Sequence, residues 1–129
     1  NVPPVSFLKE SNTKLVDAVR NRTEASLKVN LKGFRVEIFF DSALSESHPY
    51  VLIDAERIPE TVLVIVNLSH PHWSYLSNES DVLNFTRHCA YDGVAEWKAR
   101  FIIDRIDPDT IKFIKDDLLR VPFEIESAQ

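Results

Sequence analysis

The chain has 129 residues, 44% of them apolar and 27% charged, which is room and composition for one folded domain rather than a disordered segment. Such a chain buries roughly two-thirds of the surface its unfolded form exposes. A net charge of −5 and a pI of about 5.3, with no run of basic residues, argue against a nucleic-acid or anionic-membrane surface, because phosphate contact needs clustered Lys and Arg.

Residues 1–11 contain Pro3-Pro4 and read as an extended arm or linker remnant, with the domain proper expected over 12–126. Asn12 is a plausible cap for a short helix to about Asn21, on which Leu15, Val16 and Val19 share a face. From Leu27 the period changes to two: Leu27, Val29 and Leu31 alternate with polar residues, and after Lys32-Gly33 so do Phe34, Val36, Ile38 and Phe40. This is a half-buried, antiparallel pattern with a tight turn or bulge at the glycine. Residues 42–49 form a loop, Tyr50–Ala55 a short strand, and Pro59 a turn. Thr61–Leu68 is the most β-branched stretch and predicts a central strand covered on both faces.

The pattern then becomes helical. Ser77 or Asn78 caps a helix expected to run to about Ile103, with Val82, Thr86, Cys89, Gly93, Trp97 and Phe101 on one stripe. Gly93 in mid-helix marks a close-packing point. Asp107-Pro108-Asp109 opens a second helix, with Ile111, Ile114 and Leu118 facing inward, and Pro122 ends it. Phe123 and Ile125 can add an edge strand, and Ser127–Gln129 should fray. Strands grouped before helices predict an α+β fold: a mostly antiparallel sheet of about four strands with helices packed on one face.

Catalytic motifs are scarce. The two glycines, Gly33 and Gly93, are 60 positions apart, so neither a phosphate loop nor a dinucleotide fingerprint can be built. No Gly-x-Ser-x-Gly elbow and no Cys-x-x-Cys pair occurs. The most chemical-looking stretch is Asn67-Leu68-Ser69-His70-Pro71-His72-Trp73. His70 and His72, joined by Asp92 or Glu96, could be drawn as a zinc site of a hydrolase or nuclease. The opposing reading makes the two histidines a turn from sheet to helix, their rings bonded to nearby backbone. Cys89 beside His88 could be drawn as a nucleophile, but adjacent helical residues point about 100° apart and Cys89 lies on the apolar stripe. Glu96 is spaced to pair with Arg100.

The single cysteine precludes an internal disulfide and points to a reducing, cytoplasmic setting. Four Asn-x-Ser/Thr sequons, at Asn21, Asn67, Asn78 and Asn84, read as chance, since two fall inside predicted elements. No apolar run reaches ~18 residues and no signal peptide is visible. The chain lacks methionine and begins Asn1-Val2, which reads as a piece of a longer protein.

The segment from Val62 to Arg100 resembles the region downstream of the ATP-binding lobe in prokaryotic GHKL-type ATPases, the superfamily of gyrase, heat-shock chaperones, histidine kinases and mismatch-repair proteins. Asn67, His70, Pro71, His72, Glu96 and Trp97 carry the resemblance. The superfamily's magnesium-holding Asn, Asp-x-Gly-x-Gly turn and Gly-rich lid have no counterpart here. The resemblance therefore implies a bacterial, non-catalytic C-terminal accessory domain that couples an ATPase lobe to dimerisation or to another module. It implies no cofactor in this portion, the upstream domain of the same chain as partner, and a homodimer as a further one. His70, His72, Trp73 and Glu96 are the candidate interaction residues. The rival readings are the metal-dependent hydrolase and an acidic protein that binds a basic partner; the acids are spread out, with seven against four bases between Asp104 and Glu126.

Overall fold

A computed structural model describes residues 2–22, 26–54 and 61–126, with backbone alone over 20–22. The turn expected at Pro59, the sequon side chain of Asn21 and the frayed end from Ser127 lie outside the described residues.

The first element departs from expectation. Helix α1 spans Val5–Arg22, so residues 5–11 are helical rather than an extended arm. The Pro4 carbonyl accepts from the Leu8 N–H at 3.1 Å, which places the prolines ahead of the first turn, where a missing N–H breaks no bond. No breaker follows, and a Glu10–Lys14 pair at 3.3 Å supports the exposed face.

Strands β1 (Leu27–Leu31) and β2 (Phe34–Asp41) form the expected antiparallel hairpin, in register from Leu27 opposite Ile38 to Leu31 opposite Phe34. Lys32 and Gly33 take φ of 51° and 84°, the two positive values of a turn whose twist suits a hairpin. Strand β3 (Val51–Ile53) pairs antiparallel with β4 (Thr61–Asn67). A two-residue β5 (Glu124–Ile125) closes the far edge against β1. The sheet thus has five strands, in the order β3-β4-β2-β1-β5. Its central pair, β2 and β4, is parallel, from Arg35 opposite Thr61 to Asp41 opposite Asn67.

Every residue of β4 after Thr61 is buried, as its continuous apolar run demands. Val62, Val64 and Val66 face one core with Cys89, Val94, Trp97, Ile114 and Leu118. Leu63 and Ile65 face another with Val16 and Val19 of α1 and with Leu52. The placing of all helices on one face is corrected accordingly: α1 covers one face, and α2 (Glu79–Lys98) and α3 (Pro108–Leu118) cover the other. Burying these branched side chains is worth about 1.5–3 kcal/mol each.

Helix α2 starts as a reciprocal cap. The Asn78 side chain accepts from Asp81 N–H at 2.9 Å, and the Asp81 carboxylate accepts from the Ser77 N–H and hydroxyl, which lowers its pKa. At Gly93 a Cβ would lie 2.8 Å from Val64 Cγ2 and 3.0 Å from Ile53 Cδ1, so the helix rests directly on the sheet. Beyond Lys98 the chain widens into a π turn over Ala99–Ile103, which Asp104 ends at φ 58°. In α3 the Asp107 carboxylate holds the Thr110 N–H at 2.8 Å and its hydroxyl at 2.7 Å. Lys32 at the hairpin turn pairs with Asp117 of α3.

Candidate functional site

Two regions of the molecule gather candidate site residues: the end of the sheet where β4 stops, and the outer edge of β3. At the first, the side chain of fully buried Asn67 holds three carbonyls, those of Ser45 at 2.9 Å and of His48 and Pro49 at 3.2 Å. Its Oδ1 accepts from Ser69 N–H at 2.9 Å, and its own carbonyl accepts from Trp73 Nε1 at 2.8 Å. One asparagine therefore ties the 42–49 loop to the His70–Trp73 turn. The same burial closes the Asn67 sequon to a glycan in the folded chain.

His70 stands just before a 3₁₀ turn, Pro71–Tyr75, and its Nδ1 accepts from the His72 N–H at 3.1 Å. The His72 ring packs on Phe85 at 4.8 Å, and Tyr50 lies 6.3 Å from both His70 and Phe85. The candidate acids have other partners: Asp92 pairs with Lys115 at 2.8 Å, and Glu96 with Arg100 at 3.3 Å. Among the described residues no group of three or more His, Cys, Asp and Glu side chains is placed to hold a metal ion. His70 and His72 share an aromatic cluster, while Asp92 and Glu96 are each engaged by a cation. Cys89 is buried in the core, and burial, with Asp92 adding to it, pushes its thiol up to about 12, the opposite of nucleophile activation.

The second region is a groove of about 460 Å³ along β3. Leu8 and Asn12 of α1 form one wall, and Glu96 and Trp97 of α2 with Arg100 and Phe101 of the π turn form the other. Its size falls in the range of small-ligand and peptide sites. Trp97 is 4% exposed, and among the described residues neither its Nε1 nor Arg100 Nε has an acceptor. The third buried donor without an acceptor, Arg87 Nε, belongs to a guanidinium seated over the Phe123 ring at 5.6 Å. Burial raises the pKa of Glu96 against the lowering pull of Arg100, and burial with nearby Asp92 raises that of Tyr50.

Glu96 was visible as a candidate from the sequence, whereas Trp97 reads there as part of the apolar stripe. The groove was not visible, because its walls come from residues some 90 positions apart that no local pattern joins. Comparison with family models, with characterised proteins and with solved structures finds no match for this chain. No described helix is long and apolar enough to cross a membrane.

Proposed function

We propose that this domain is a binding module without a reaction of its own, and that the groove between α1, β3 and the end of α2 is its site. One observation carries the reading: Trp97 and Arg100 line a groove, and a buried donor of each, Nε1 and Nε, has no acceptor among the described residues. An unpaired buried donor costs about 1–3 kcal/mol, a cost that a ligand offering an acceptor removes. The His70–His72 turn supports the same reading by contrast, since Asn67, His70 Nδ1 and Trp73 Nε1 are already bonded within it.

The accessory role implied by the resemblance to GHKL-type ATPases is one form of this proposal, in which the groove's occupant belongs to the parent protein. Titration of the domain with ATP and magnesium in a calorimeter is then expected to give no heat; micromolar binding overturns it. The site itself is tested by an NMR screen of small organic acids and short peptides. Hits are expected to shift Leu8, Asn12, Val51, Trp97 and Phe101. Hits that gather instead on His70, His72 and Phe85 would move the site to the turn.

A further inference from the structure

The sheet ends in two edge strands, and the residues of only one of them discourage further pairing. Strand β5 is two residues long, lies just after Pro122, and carries Glu124 with Glu126 beyond it, so length and charge both blunt that edge. Strand β3 is Val51, Leu52 and Ile53, with no charge, proline or glycine among them. Among the described residues it has β4 on one side only. Asn67 N–H donates to the Tyr50 carbonyl at 3.0 Å and Asp54 N–H to the Leu63 carbonyl at 3.1 Å. Alternation in an antiparallel ladder then turns the backbone N–H and C=O of Val51 and Ile53 away from β4. An apolar edge of this kind is a template for another strand unless something covers it.

Helix α1 supplies the cover. Leu8, Asn12, Val16 and Val19 fall on one face of the helix at three- and four-residue spacing. Val16 and Val19 are buried with Leu52, Leu63 and Ile65. Asn12 is the polar member of that face, and its side-chain amide donates to the outward Ile53 carbonyl at 3.0 Å. The acceptor that a further strand would use is therefore taken, and a side chain as short as asparagine holds the helix backbone close beside the edge. Asparagine is also a poor choice for a helix interior, because its amide competes for backbone groups. Here that amide is spent on the strand instead.

We propose that Asn12 is an edge guard: it holds the first half of α1 against the outward groups of β3, and release of that half lets β3 pair with β3 of a second copy of this chain. A strand set against its own copy about a twofold axis is antiparallel, so each copy offers the other the donors and acceptors it needs. The second half of α1 stays on the sheet through Val16 and Val19 while the first half moves. This role is independent of what the groove binds.

Two variants of the whole chain test it. Asn12→Asp keeps the shape of the side chain but has no donor at neutral pH, and Asn12→Ala also favours the helix, which keeps the fold. Each is compared with the unaltered chain by sedimentation velocity over a range of protein concentrations, with urea unfolding alongside. Losing one hydrogen bond raises the open fraction of each copy about fivefold, and a dimer uses two edges, so the dimer dissociation constant is expected to fall about 25-fold. In the associated form the Val51 and Ile53 amides should exchange more slowly, and intermolecular NOEs between labelled and unlabelled copies should join the two β3 strands. Variants as monomeric as the unaltered chain at every concentration overturn the proposal, whether or not they are less stable. Association that leaves the Val51 and Ile53 amides exchanging as before also overturns it, because the contact then lies elsewhere.

Discussion

The two tryptophans of this chain sit in opposite situations. Trp73 lies in the stretch that looks most chemical, beside two histidines and a proline, and its indole N–H is bonded to Asn67 at 2.8 Å. Trp97 lies in an ordinary apolar stripe, and its indole N–H has no acceptor among the described residues. The buried polar groups of the region rich in catalytic residue types are thus bonded within it, while the plainer region has buried donors without an acceptor among the described residues. Residue type marks where chemistry could occur; satisfaction of the polar groups marks where the molecule is finished. A finished region resists change, and an unfinished one tolerates it.

The sharpest test removes the centre of the closed region. Asn67→Ala strips a buried side chain from three carbonyls and one N–H, and is expected to cost about 3 kcal/mol or more in urea unfolding. Arg100→Gln at the open region breaks only a half-exposed i,i+4 pair and should cost under about 0.5 kcal/mol. Equal losses would erase the contrast. Next comes Gly93→Ala, between the two regions. Its methyl gains about 1 kcal/mol of helix propensity but meets Val64 and Ile53 inside contact distance, where overpacking costs about 1–3 kcal/mol. A net loss of about 1 kcal/mol is expected, and a stabilised variant would show that helix and sheet separate easily.

Glu96 gives a smaller, pH-dependent effect. Its pKa is raised in the folded chain, chiefly by burial, so the folded state holds the proton above the ordinary glutamate value of 4.5. Stability is therefore greatest below that value and declines as pH rises through the window above it. In Glu96→Gln this part of the profile should flatten; unchanged slopes in parallel unfolding titrations from acid to neutral pH would argue that Glu96 is fully solvated. The smallest effect is spectroscopic. The Trp73 indole proton should resonate downfield of that of Trp97, because only the former is hydrogen-bonded, and the reverse order would invert the comparison.

Much of the fold was legible where the deciding forces are local. Lys32-Gly33 specified its turn, Asn78 and Asp107 their caps, and the two-faced burial of Thr61–Asn67 followed from an unbroken apolar run. Other features depend on partners distant in sequence. The parallel pairing of β2 with β4 leaves no mark on the alternation of β2, and the apolar run of β4 shows burial on both faces without naming its neighbour. The start of α1 was obscured by Pro3-Pro4, which suit an extended arm and the approach to a helix equally well. The Glu96–Arg100 pair was readable from its spacing, whereas a missing acceptor for Trp97 is a property of the packed molecule alone.

Gly93 has a mechanical consequence for the groove. With no side chain to yield, the helix presses bare backbone against Val64 and Ile53, and that wall behaves as a rigid anvil under β3. The opposite wall, the first half of α1, is tied to the strand by the amide bond from Asn12 to Ile53, and Val16 and Val19 farther along the helix anchor it on Leu52. Widening on the α1 side therefore costs that amide bond and pivots the start of the helix about its buried second half, so that α1 is the jaw and α2 the fixed bed of a vice.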